Sequence, residues 1–172
     1  MGWTSAPRLS PRVLVEEGQP MGQSFAGAPV LTTTVVAVRL SLAFVLGALA
    51  GVERQWHHKN AGLRTHTLVA VGAAVFTIVS SLGLGPTNSP MVIAAGVVTG
   101  IGFIGGGVIM HQGPTVQGIN TAATLWTTAS MGLAAGAGYY ALTAMTFTAL
   151  LLVQFPLQWV EHWIDHRSEQ SR

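Results

Sequence analysis

A run of apolar residues from 91 to 110 carries no charged side chain, and it constrains the fold more than any other feature. A bilayer core about 30 Å thick is crossed by about 20 helical residues. Similar runs cover residues 31–51, interrupted by Arg39, and residues 63–83, 119–138 and 139–155. Inside lipid every backbone N–H and C=O has to be satisfied within its own segment, so runs of this length read as helices. The expected fold is all-α, a polytopic membrane helix bundle with five transmembrane helices. Four is the alternative, because the run over 139–155 is the shortest and follows its predecessor directly.

Composition agrees. Charged residues make up 8% of the 172-residue chain, against about 25% in ordinary soluble domains, and mean hydropathy is +0.50. The net charge of +2 is small and its basic residues are scattered, which excludes a nucleic-acid-binding surface. Without cysteine, disulfides, thiolate zinc sites and a cysteine nucleophile are excluded as well.

Residues 1–30 hold Pro7, Pro11, Pro20 and Pro29 without sustained periodicity and read as a mostly disordered tail. The start is either Met1 or Met21. Ala48-Leu49-Ala50 resembles a signal-peptide cleavage site, but Arg39 interrupts the apolar segment and further spans follow, so the first helix is read as retained. Residues 31–156 form the transmembrane domain and 157–172 a short cytoplasmic tail. Arg54, Lys59 and Arg64 follow the first span, whereas the connections at 84–90 and 111–118 contain neither lysine nor arginine. The positive-inside rule then places the N-terminus outside and the C-terminus in the cytoplasm.

The third run contains "GVVTGIGFIGGGVIM", in which Gly100, Gly102 and Gly105 reproduce the spacing of a dinucleotide-binding loop. The context contradicts that use: no short strand precedes it, no carboxylate lies about 20 residues on, and the chain's single aspartate is Asp165. Small residues four apart share a helix face and let two backbones approach. Such ladders occur at Ala43, Gly47 and Gly51; at Gly96 and Gly100 and at Gly102 and Gly106; and at Thr124, Thr128, Gly132 and Gly136. Gly105, Gly106 and Gly107 cannot all serve one face, and each weakens a helix by about 1 kcal/mol relative to alanine. A bend or break in the third helix is expected there.

Arg39 lies inside the first span with no aspartate or glutamate in any proposed span to pair with. Either it snorkels to the headgroups or it serves function. The most polar stretch is residues 51–68, where Glu53 and Arg54 close the first helix and Arg64, Thr65 and His66 open the second. Glu53 is useful beside anionic lipid only if paired with Arg54 or Arg64. Adjacent His57 and His58 point about 100° apart on a helix and make a poor metal pair. Asn120 is placed to cap the fourth helix. No catalytic constellation is found, so no enzyme, metal or cofactor is expected.

Together "RLSLAFVLGALAGVERQ", "AGLRTHTLVAVGAAVFTIVS", "VVTGIGFIGGGVIM" and "GINTAATLWTTASMGLAAGAGYY", spanning about residues 39–140, resemble the MgtC/SapB family of bacterial inner-membrane proteins. The resemblance implies a helical membrane domain and a role in adaptation to low magnesium or acid stress, in some pathogens linked to survival inside host cells. It implies action on other membrane proteins, ATP synthase among them, rather than direct magnesium transport. Carried over by motif, with Arg39 and Gly106 added from the reading above, the functional candidates are Arg39, Glu53, Arg54, Gly62, Arg64, Thr65, Gly100, Gly102, Gly105, Gly106, Asn120 and Thr121. The chain departs from the family pattern at "GPTNSPMVIAAGVV", which is uncharged and has Gly96 where glutamine is common. It also ends in "LQWVEHWIDHRSEQSR" where longer members carry a soluble domain, so regulation through such a domain is not expected. Expected partners are the lipid bilayer, other membrane proteins and a second copy of the chain; nucleic acid is not among them. Two functions follow: a non-enzymatic modulator of membrane proteins, or a small magnesium or proton transporter or channel that forms a pore as an oligomer.

Overall fold

The computed structural model describes residues 31–82, 90–112 and 114–156. The expected tails at 1–30 and 157–172, and most of the 84–90 connection, lie outside the described residues. Five helices are present among the described residues: α1 (Thr33–Trp56), α2 (Leu63–Ser81), α3 (Pro90–Val108), α4 (Ile119–Ala137) and α5 (Tyr140–Gln154). Over α1, α2 and the Met91–Val108 part of α3, length and apolar composition suffice to cross a membrane. Pro90 stands at the first helical position of α3, where its missing N–H costs no internal hydrogen bond.

Helix α4 is the centre of the bundle and packs against each of the other four helices. It is rich in hydroxyls for a membrane helix, and its position explains how they are tolerated. Thr124, Thr128 and Thr121 are buried against neighbouring helices, and Thr128 Oγ1 donates to the Thr124 carbonyl four residues back at 2.9 Å. Thr143 on α5 does the same with the Tyr139 carbonyl at 2.9 Å. Such back-bonding removes an unsatisfied donor from an apolar medium.

The core is built largely of alanine. One cluster joins Ala43 of α1, Ala70 and Ala74 of α2, and Met131 and Ala135 of α4. A second joins Ala61, Ala73, Ile101, Leu125 and Ala129. Small side chains set the helices close, and the glycine ladders set them closer. A methyl group added at Gly47 would lie 2.8 Å from Ala70 Cβ, and one at Gly51 would lie 2.6 Å from Leu63 Cα. On α4, a methyl at Gly136 would lie 2.6 Å from the Ala74 carbonyl oxygen, and one at Gly132 would overlap the Ala70 carbonyl oxygen. Helix α2 is therefore clasped between α1 and α4 through backbone-deep contacts. Two of the three expected ladders are filled in this way. The α3 ladder is not: among the described residues nothing lies within 4 Å of a methyl built at Gly96, Gly100, Gly102, Gly106 or Gly107.

The glycine run does not break α3. The helix continues through Gly105, Gly106 and Gly107 to Val108. In a chain that crosses lipid no water competes for the freed backbone groups, so the internal hydrogen bonds outweigh poor helix propensity. The connection to α4 is a short antiparallel ribbon, β1 (Met110–Gln112) and β2 (Thr115–Gln117), pairing Met110 with Gln117 and His111 with Val116. It leaves no mark in the residue pattern, because three-residue strands are too short to display alternation. Gly118 ends the ribbon at φ 92, and a side chain there would also strike the Val108 carbonyl. That position requires glycine.

Candidate functional site: a polar cluster and an open helix face

The last turn of α1 carries Glu53 and Arg54 into the bundle rather than out of it. Arg54 is 1% exposed and Glu53 5%. Arg54 Nη2 donates to Asn120 Oδ1 at 2.8 Å and also to Thr124 Oγ1. The Glu53 carboxylate lies 3.5 Å from Arg54 Nε and 3.9 Å from His57 Nε2. Burying an arginine is costly without an ion partner and hydrogen bonds, and this cluster supplies both. Its basic charge also suits the carboxyl end of α1. Spacing explains the acceptors: Asn120 and Thr124 are four apart, so one face of α4 offers both to the guanidinium.

Asn120 thus binds Arg54 and is not the cap of α4. The cap position is Gly118, and no side chain caps the helix there. Thr121 is buried beside the cluster. His66, one turn into α2, is fully buried, and its Nδ1 lies 3.0 Å from the Gly62 carbonyl oxygen. Since a carbonyl only accepts, Nδ1 carries the proton. Nε2 has no hydrogen-bond partner among the described residues. Neither His66 nor Thr124 stood among the candidates; the interval from Asn120 to Thr124 was the available signal. Arg64 is exposed and without a hydrogen-bond or ion-pair partner among the described residues, and Thr65 and Gly62 are half-buried beside it in sequence.

At the other end of the bundle Arg39 finds a partner that is not a carboxylate. Helix α4 closes at Gly138, φ 83, with Tyr139 N–H donating to the Ala134 carbonyl and Gly138 N–H to the Ala135 carbonyl, each at 3.0 Å. This double closure leaves the Gly136 carbonyl over. Arg39 Nη1 donates to it at 2.7 Å. A guanidinium at the negative end of a helix dipole is electrostatically placed, so Arg39 is neither free nor merely snorkelling.

Gly100, Gly102 and Gly106 are exposed along α3, while Gly105 is buried with Ala122 of α4 3.6 Å from an added methyl. Between α2 and α3 runs an apolar groove of about 660 Å³ lined by Leu68, Gly72, Phe76, Val92, Gly96 and Gly100 among others. Among the described residues no three histidine, aspartate or glutamate side chains gather.

A family model described as MgtC family matches residues 40–163. Protein MgtC of Brucella abortus is 50% identical over 117 residues, which cover 68% of this chain and 49% of that protein. Protein MgtC of Salmonella typhimurium is 52% identical over 115 residues, covering 67% and 48%. An uncharacterized protein of Synechocystis sp. is 46% identical over 134 residues, covering 78% and 57%. The chain spans about half the length of the curated relatives it matches. No solved structure matches.

Proposed function

Because the chain belongs to the MgtC family of membrane proteins, we propose that it is a non-enzymatic modulator that docks on other membrane proteins through the open face of α3. In this reading it resides in the bacterial inner membrane, N-terminus outside and C-terminus in the cytoplasm, and serves adaptation to low magnesium or acid stress. One observation carries it. Gly96 and Gly100, four apart on one side of α3, expose its backbone at the spacing that admits a neighbouring helix, and no helix among the described residues fills that space. In lipid, association comes from close van der Waals packing, which is strongest where backbones meet. The orientation follows from Arg54, Lys59 and Arg64 at one end of the first two helices.

The chain has no cysteine, so Gly100→Cys, labelled with a photoreactive group in native membranes, reports on this face alone. Crosslinking to a distinct membrane protein is the expected result. Crosslinking to lipid only would defeat the reading. Magnesium or proton flux in liposomes that disappears in Arg39→Ala would favour a transporter instead.

A further inference from the structure

Apart from the α3 face, a polar pocket of about 380 Å³ opens between the end of α1 and the start of α4. We infer that it binds a phosphate group. Its wall includes Arg54, His57, Lys59, Gly118, Asn120 and Thr121. Three features of this wall point to an anion.

The first is Arg54, 1% exposed, whose Nη1 has no hydrogen-bond partner among the described residues although Nη2 is engaged twice. A buried guanidinium with unmatched donors lacks a full set of acceptors, and a tetrahedral oxyanion supplies several. The second is the N-terminus of α4, a 19-residue helix whose cap, Gly118, offers no side-chain acceptor. The leading N–H groups of a helix have no internal partner and carry its positive end. The third is Lys59, exposed on the pocket wall. Among the described residues Glu53 is the carboxylate that opposes them, 3.5 Å from Arg54 Nε. It is not part of the pocket wall, and it offsets one of two full positive charges there. The balance favours a phosphate over a cation, which would want carboxylates facing the pocket.

The same chemistry is offered by a lipid phosphodiester at the membrane surface and by free phosphate in the adjoining water. The full chain, purified in a phosphate-free maltoside detergent, is titrated with inorganic phosphate and separately with short-chain phosphatidylglycerol. Thermal unfolding is followed against sodium chloride at matched ionic strength. Stabilisation by phosphate alone assigns the free ion, by the lipid alone the headgroup, and by both the phosphate group irrespective of its carrier; each supports the site. Arg54 also joins α1 to α4, so its replacement tests folding as well as binding. The deciding variant is Lys59→Gln combined with Gln117→Glu, both exposed pocket residues. With the unliganded melting temperature unchanged, its apparent affinity is expected to fall about fivefold or more. A smaller loss, or no stabilisation beyond chloride by either probe, overturns the inference.

Discussion

Gly132 and Gly136 on α4 and Gly96 and Gly100 on α3 carry the same four-residue spacing, yet the first pair is filled and the second is open. On α4 the missing side chains admit the backbone of α2, so the space has become cohesion within the chain. On α3 the same space faces outward. A small-residue ladder thus states only that a backbone can be approached. What approaches is decided by the neighbouring helix, and α2 is already clasped between α1 and α4. Helix α3 packs on α4 through Gly105 and on α2 through a few apolar side chains, leaving its remaining glycines unmatched.

Five substitutions sharpen or break this contrast. Gly132→Leu drives a side chain into the Ala70 carbonyl and should cost about 4 kcal/mol, seen as loss of folded protein from the membrane fraction. Retention at normal level would show that the seam is not tight. Arg54→Ala removes the tie between α1 and α4 and leaves Glu53 without its guanidinium. A loss of about 3 kcal/mol is expected in denaturant titration of the purified protein. Arg39→Leu takes away one hydrogen bond and one helix-end charge, worth about 1.5 kcal/mol in the same titration. Smallest of all, Gly100→Ala on the open face should leave stability unchanged or raise it by less than about 1 kcal/mol. A clear destabilisation there would mean that α3 is covered after all. Under the proposed function, the bulkier Gly100→Leu keeps the fold and loses partner crosslinking from a probe at Gly96, on the same side of α3.

Much of the architecture was legible because lipid enforces it. Five apolar runs gave five helices, and the seams of α1 and α4 were visible in their spacing. Three things were not. Arg39 looked unpaired because its partner is the Gly136 carbonyl, and a backbone acceptor has no letter in a sequence. Asn120 looked like a cap because caps are local and expected, whereas its bond to Arg54 spans 66 positions. Gly105 to Gly107 looked like a break because helix propensities are measured in water, and the apolar medium reverses the preference. Among the candidates, Glu53, Arg54, Asn120 and Thr121 came together at one end. Arg39 stands at the other, Gly100 lines the groove between α2 and α3, and Gly102 and Gly106 are exposed on another side of α3.

The two arginines of α1 both hold α4, one at each end. Arg54 and Arg39 are about 22 Å apart along α1, and Asn120 and Gly136 about 24 Å apart along α4. The helices run antiparallel, so the two grips fall at matching heights. Sliding α4 by one turn, about 5.4 Å, would break both at once and leave two guanidinium groups, that of Arg54 buried, without these acceptors. Together they act as a latch against axial slip, which smooth alanine and glycine surfaces cannot resist by themselves.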